Sequence, residues 1–543
     1  RVLIVRIICQ VRLNFAINNF LIQSIILLFA EMSCGFCVGY AIAILAVAVT
    51  ALIAYFKWTY QYWERKKVPY FKPTIPYGNG SSPLRRKENS GLRIARLYAE
   101  MKAKGWKHGG LFSVLTPAYL VIDLDYLKNI MTKDFHYFVD RGLYYNEDAD
   151  PLSAHLFAIG GEKWRNLRTK FTPTFTSGKM KMMFQTLVDC IPNFLSKIEA
   201  DRVAKAPIDI KETLGCFTTD IIGSCAFGLE FNTFKDDDSP FRRYGRKFFD
   251  RDRLVVFKNL LAINFPNVAK RLGVAVIPND ISNFFIKLVK DTVNYREKNN
   301  YSRKDFMQLL IDIKGNKLAP EGGNKYDGKT LTLDEIAAQS FVFFIAGFET
   351  SSTTMAFALY ELARHQDIQD KLRDEINSVL AKHNGEITYE SIQDMKYMDQ
   401  VINETLRKYP PLAFLTRKCV KDYKIPEEDV VIEKGTMIFI PVLGIHHDKE
   451  FYPDPKKFDP ERFTEENKSK RHHYAHIPFG EGPRICIGLT KNIWFGKSVL
   501  KFCYYRCTFW SNAVKGGINY YTETLQIYSQ QENHTATQNE DHL

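Results

Sequence analysis

The chain has 543 residues, 45% of them hydrophobic, with ten cysteines scattered along it. That is enough apolar material for a large core, in one big domain or two, and it excludes a disordered polymer or a small disulfide scaffold. A formal charge of +13 is spread over the length, and no segment joins a dense basic block to interleaved aromatics. Nucleic acid is therefore not an expected partner; an anionic membrane surface or an acidic protein is.

Residues 1–31 carry Arg1, Arg6 and Arg12 and an apolar stretch, Phe20 to Ala30, too short to span a bilayer. Met32 lies just before the main apolar run, and we expect translation to begin there, with residues 1–31 an upstream extension. The 23 residues from Cys34 to Phe56 hold no charged side chain; as a helix they would be about 34 Å long, enough to cross a membrane. Residues 32–57 are expected to be a transmembrane anchor. Lys57, Arg65, Lys66 and Lys67 follow at once, which by the positive-inside rule places the rest of the chain in the cytosol. A cleaved signal peptide fits less well, because the run is too long and its basic flank is on the wrong side. Cys34 and Cys37 lie inside that run, where a zinc or redox site is not expected, so a reducing compartment is the expectation for the main domain. Residues 58–83, with Pro69, Pro73, Pro76, Gly78 and Gly80, read as a basic, proline-rich, non-helical hinge that sets how a domain leans on the membrane.

The main domain is expected over residues 84–488. A helical stretch from Gly91 to Lys104 and the β-prone run Tyr119-Leu120-Val121-Ile122 predict a small sheet near its start. Trp164 and Arg168, four residues apart, put an indole N–H and a guanidinium on one helix face; a surface arginine beside a core tryptophan is the plain alternative. From Met180 to Lys314 the pattern is of amphipathic helices separated by Pro207, Pro240, Pro266 and Pro278, rich in phenylalanine, as an apolar pocket or an ordinary core would be. Thr332-Leu333-Asp334-Glu335 is a capping box opening a long helix that reaches Leu362, apolar on every side from Phe341 to Phe348 and so buried. Within it Ala346-Gly347-Phe348-Glu349-Thr350 sets a small pair before an acid and a hydroxyl. Glu404 and Arg407 share a helix face at i, i+3, and Arg462 follows in Pro460-Glu461-Arg462-Phe463.

The last distinctive stretch, Pro478 to Gly488, holds Cys486 among glycines and prolines that allow close backbone approach. A thiolate there can be compensated by loop N–H groups and by Arg484. The spacing Phe-x-x-Gly-x-Arg-x-Cys-x-Gly, filled by Phe479, Gly482, Arg484, Cys486 and Gly488, resembles the heme-binding signature of the cytochrome P450 family. With the Trp-x-x-x-Arg, Ala-Gly-x-Glu-Thr, Glu-x-x-Arg and Pro-Glu-Arg-Phe motifs in the same order, the chain is similar to insect microsomal members of the sixth family. The resemblance implies a mainly α fold with small β-sheets behind an N-terminal transmembrane anchor. It implies heme b with Cys486 as axial ligand; propionates held by Trp164, Arg168, Arg417 and Arg484; and a loop shaped for a flat ligand by Phe479, Gly482 and Gly488. Glu349 and Thr350 would manage protons, Ala346 and Gly347 would leave room for oxygen, and Phe341, Phe344, Ala413, Phe414 and Leu415 would line the substrate pocket. Glu404, Arg407 and Arg462 would form a buried charge network that fixes the fold. The implied reaction inserts one atom of O2 into apolar small molecules: xenobiotics, insecticides, plant toxins or endogenous lipids. No dinucleotide fingerprint or flavin site occurs, so electrons would come from NADPH through cytochrome P450 reductase, with cytochrome b5 as a second donor. The implied location is the endoplasmic reticulum membrane, with the catalytic domain facing the cytosol. An isomerase or dehydratase using the same heme is a rival that the Glu349-Thr350 pair speaks against.

The likeness ends after Gly488. Leu489-Thr490-Lys491-Asn492-Ile493-Trp494 departs from the helix with which the family continues, and residues 489–543 form an atypical tail whose end, rich in Gln, Asn, Thr and Tyr, reads as disordered. The rival from another class is therefore a non-catalytic or misfolded family member.

Overall fold

The computed structural model describes residues 35–80, 88–230, 232–236, 238–249, 253–315, 331–426 and 428–488. The expectations for residues 1–31 and for the tail from 489 lie outside the described residues.

Helix α1, Gly35–Tyr60, leaves Ile42, Leu45, Val47 and Leu52 exposed, and the segment Gly39–Arg65 is apolar enough, by length and composition, to cross a membrane. Its foot is not loose. Phe56, Tyr60 and Trp63 are buried, and the Trp63 indole N–H donates to the Leu111 carbonyl at 2.9 Å. Gly110 is required at that contact, because a Cβ there would collide with the Trp63 ring. The proline-rich hinge runs alongside the first strand, with Gly110 N–H bonded to Pro69 O at 2.8 Å and Phe71 N–H to Gly110 O at 3.2 Å.

After α2, Ser90–Ala103, capped by the Asn89 side chain, comes the hairpin of β1, His108–Ser113, and β2, Thr116–Val121. The sheet is completed from far along the chain by β3, Leu415–Lys418, and β6, Met437–Ile440, in the order β1-β2-β6-β3; β4, Tyr423–Lys424, and β5, Val431–Ile432, form a separate ribbon. The helical part comprises α3 (Gly161–Phe171), α4 (Ser177–Val203), α5 (Ile210–Ile222), α6 (Pro240–Phe249), α7 (Arg253–Asn264), α8 (Asn279–Lys298), α9 (Phe306–Lys314), α10 (Leu333–Arg364), α11 (Gln366–Lys382) and α12 (Lys396–Lys408).

The capping box at the start of α10 is formed: Thr332 Oγ1 accepts from Glu335 N–H at 3.1 Å and Glu335 Oε2 from Thr332 N–H at 2.9 Å. As a buried axis, α10 packs on α5, α8 and α12. One apolar core lies between α4, α5, α11, α12 and the second half of α10; another lies between α3, α8, α9 and its first half; a third joins the sheet to α2 and the foot of α1.

Candidate functional site

The Cys486 loop is a tight reversal. Gly480 and Gly482 have φ of 74° and 72°, values open to glycine but strained for other residues, and Cys486 N–H closes the turn on Phe479 O at 3.1 Å. A Cβ at Gly482 would strike the Met131 carbonyl oxygen. The Cys486 side chain is half-buried. Burial pushes its thiol up, opposed by the Gly488 N–H and by the charges of Arg141 and Arg168.

Three buried guanidinium groups and a half-buried one surround this loop, and none has a carboxylate partner among the described residues. Arg484 donates through Nε to Val139 O (2.8 Å), through Nη1 to Leu156 O (3.3 Å) and through Nη2 to Ile159 O (2.8 Å), and lies 3.9 Å from the centre of the Trp164 ring. Arg141 donates through Nη2 to Arg484 O at 3.0 Å and stacks on Phe157, leaving its buried Nε without a partner. Arg417 is 0% exposed; only Nη1 is engaged, by its neighbour's carbonyl at 2.9 Å, while Nε and Nη2 are buried and unpaired. Arg168 is half-buried on α3. Burial and mutual repulsion lower Arg484 to about 9 and Arg141 to about 10, and burial with repulsion from Arg141 and Arg484 holds Arg417 well below its ordinary value. Buried unpaired donors cost about 1–3 kcal/mol each. Cations left in this state mark the seat of an anion, and the carboxylates of a heme placed against Cys486 fit it.

The Trp164 ring underlies Arg484, whose Nε, Nη1 and Nη2 each donate to a main-chain carbonyl. Sequence reasoning passed over Arg141, because nothing in its local spacing reveals a contact with a residue 343 positions away.

Helix α10 distributes its motif over several faces. Ala346 is exposed and Thr350, one turn on, is half-buried with its hydroxyl donating to Ala346 O at 2.6 Å. A Cβ on Gly347 would strike Ile222 of α5, so the two helices approach closely here. Glu349 turns to α5 and pairs with Lys211 at 2.8 Å. The expected pocket residues divide similarly. Phe341 and Phe344 are buried in an aromatic cluster with Phe285, and Phe344 also meets Phe227 and Phe241. Ala413 points at Gly91 of α2, whereas half-buried Phe414 stands edge-on to Phe439 at 5.6 Å and the Leu415 side chain reaches Gly480 of the Cys486 loop.

Beneath the loop, Glu404 and Arg407 form a two-pronged ion pair (2.7 and 2.8 Å) with both side chains fully buried. Arg407 also donates to His446 O and Pro455 O, Glu404 accepts Asp459 N–H, and Arg462 lies 3.6 Å from Glu404 while bonding Pro453 O and Asp454 O.

A mainly helical fold that presents a loop cysteine beside buried arginines with unpaired N–H groups fits a heme-thiolate protein. The chain belongs to the cytochrome P450 family, whose model matches residues 89–490, and it is accordingly a heme monooxygenase, supplied with electrons by a redox partner and acting on a small molecule. It is 44% identical to cytochrome P450 6A1 of Musca domestica over 463 residues, which is 84% of this chain and 88% of that protein. It is 43% identical to cytochrome P450 6a2 of Drosophila melanogaster over 452 residues, 82% of this chain and 88% of that one. The insect sixth-family type expected from the Cys486 loop is thereby supported, and α1 fits a membrane-anchored microsomal enzyme.

Proposed function

We propose that the chain inserts one atom of O2 into apolar small molecules, among them plant toxins, insecticides and endogenous lipids, with electrons passed from NADPH by a reductase and by cytochrome b5 as a second donor. The observation that carries this reading is the set of unpaired N–H groups on buried Arg141 and Arg417 beside half-buried Cys486. Heme bound there would supply the activation of dioxygen, which a thiolate ligand favours. Cys486 would be its ligand; burial pushes the thiol up, and the Gly488 N–H and the charges of Arg141 and Arg168 oppose that push. Arg141, Arg168 and Arg417 hold the carboxylates, and Arg484, seated on Trp164, keeps the surrounding wall in shape. Phe479, Gly482 and Gly488 leave the loop flat enough for the ring. Ala346 gives space on the opposite side, Thr350 orients water there, and Glu349 brings protons. Phe414 and Leu415 bound the substrate beside the loop, an apolar lining that selects by shape. The Glu404–Arg407–Arg462 network fixes the floor. Lys57, Arg65, Lys66 and Lys67 set the catalytic domain on the cytosolic side of the endoplasmic reticulum.

The test is the carbon monoxide difference spectrum of the reduced full chain in membranes. A band at the red-shifted thiolate position is the expected result. A band at the neutral-thiol position, or none, overturns the assignment of Cys486 in this chain and favours a non-catalytic product. Protease treatment of sealed microsomes checks orientation: the catalytic domain is expected to be digested without detergent.

A further inference from the structure

The short helix Val442–His446 ends on a histidine with no exposed surface. Two of its groups are engaged: the His446 carbonyl accepts Arg407 Nη1 at 2.9 Å, and the ring Nε2 accepts the N–H of Ile477 at 3.0 Å. Burial, then the nearness of His476, Arg407 and His447, pushes the ring well below the ordinary imidazole pKa, so it is neutral at pH 7. Because a main-chain N–H can only donate, Nε2 is the bare nitrogen and Nδ1 carries the hydrogen. Nδ1 is buried with no partner among the described residues, so Ile477 sets the tautomer. The His476 ring stacks on the His446 ring with centres 5.3 Å apart, which holds its plane.

Ile477 is where the chain enters the Cys486 loop. It is 1% exposed, so its N–H must find an acceptor inside the protein. Its carbonyl accepts Gly480 N–H at 3.0 Å, and Phe479 O accepts Cys486 N–H at 3.1 Å. A run of bonds therefore leads from the Glu404–Arg407 pair through the carbonyl and the ring of His446 to Ile477, and on by way of Gly480 to the Cys486 backbone. A side chain kept only to fill this space would need no acceptor aimed at Ile477. Tyr452 supplies the contrast: its hydroxyl donates to Ala475 O at 3.1 Å, two residues before Ile477, and braces the same floor through a bond that stops short of the loop.

We propose that His446 is a positioning residue for the cysteine ligand: through the lone pair of Nε2 it fixes the Ile477 peptide, and with it the register in which the loop presents Cys486. The inference rests on the reading of Cys486 as the heme ligand. No covalent bond forms or breaks in this role. Without the ring acceptor the Ile477 N–H is buried and unpaired, which favours a loop that turns to find another acceptor and withdraws the sulfur.

The experiment compares the full chain in membranes as wild type, His446→Gln, His446→Phe and Tyr452→Phe. Gln puts an amide oxygen near the place of Nε2, whereas Phe keeps a ring and offers no acceptor. Two quantities are read: the rate at which the carbon monoxide complex of the reduced protein passes from the red-shifted thiolate band to the neutral-thiol band, and hydrogen exchange of the Ile477 amide in the resting protein. His446→Phe is expected to speed both about tenfold. His446→Gln is expected to stay close to wild type in both, and so is Tyr452→Phe. Conversion in His446→Phe at the wild-type rate, His446→Gln as fast as His446→Phe, or an equal effect of Tyr452→Phe overturns the inference while leaving Cys486 as the ligand. Should His446→Phe give no folded protein, exchange in the wild type decides: an Ile477 amide that exchanges as fast as in an unfolded chain overturns the inference, and a protected one that His446→Gln leaves protected supports it. A wild type without the thiolate band overturns the reading of Cys486, and this inference with it.

Discussion

Arg417 illustrates a residue whose presence weakens the empty protein. Its buried Nε and Nη2 have no partner, so Arg417→Met, which keeps the bulk and removes the charge, is expected to stabilise the heme-free protein by about 1–3 kcal/mol and to speed heme loss. Denaturant unfolding of the heme-free form and heme transfer to an acceptor protein measure the two effects. Gly482→Ala is expected to abolish heme retention, because a positive φ and the Met131 carbonyl both forbid the added methyl. Asp220 is a buried acid away from the site, raised to about 6 by burial even though it accepts Thr233 N–H. An acid with a folded pKa above its unfolded one adds no penalty below pH 3.8; the penalty grows as pH rises and is complete above about 6. Asp220→Asn should therefore stabilise the protein at pH 7–8, by up to about 3 kcal/mol, and make no difference near pH 3.5, as unfolding at the two pH values will show. At this scale Cys486 and the Arg417 position could be read from the sequence, whereas Arg141 and Lys211 could not, since each is defined by partners more than a hundred residues distant.

Among the elements, α10 was the most legible. Its capping box and apolar run announced a buried helix, and the structure starts it at the expected place. What the pattern could not reveal is which neighbour each face meets. Gly347 meets Ile222 of α5, and Phe341 and Phe344 join an aromatic cluster with Phe285, contacts that no local spacing announces. Helical periodicity assigns residues to a common face but says nothing about what lies opposite. Glu404 on α12 is the corresponding electrostatic case. Glu404→Ala leaves Arg407 buried without its carboxylate and is expected to cost about 3–5 kcal/mol, read by unfolding. Replacing Arg407 as well, in E404A/R407M, should recover part of that loss, because the uncompensated charge is then gone.

The whole molecule joins its anchor to its catalytic domain through one buried knot of aromatics. Deleting residues through 57 keeps Tyr60 and Trp63 and is expected to release the protein from membranes with little change in unfolding temperature. Trp63→Ala, in the full chain, is expected to cost about 3–5 kcal/mol, because it empties the contact between the foot of α1 and the first strand. Membrane partition and thermal unfolding of the two variants separate anchoring from packing. The hinge, expected as a stiff, non-helical connector, lies along β1, since unpaired backbone beside a sheet edge finds its hydrogen bonds there.

Short-range chemistry was written in the sequence itself: the cysteine loop with its glycines, the capped buried helix, the charge-free anchor and the order of the motifs, each depending on residues a few positions apart. The tertiary structure alone decided that β2 pairs with β6 from over 300 residues later, that Arg141 joins the site, and that Glu349 answers to Lys211. Local propensity and spacing are properties of neighbouring residues, whereas burial, unpaired charge and the partner across an interface come into being only when distant segments exclude water together.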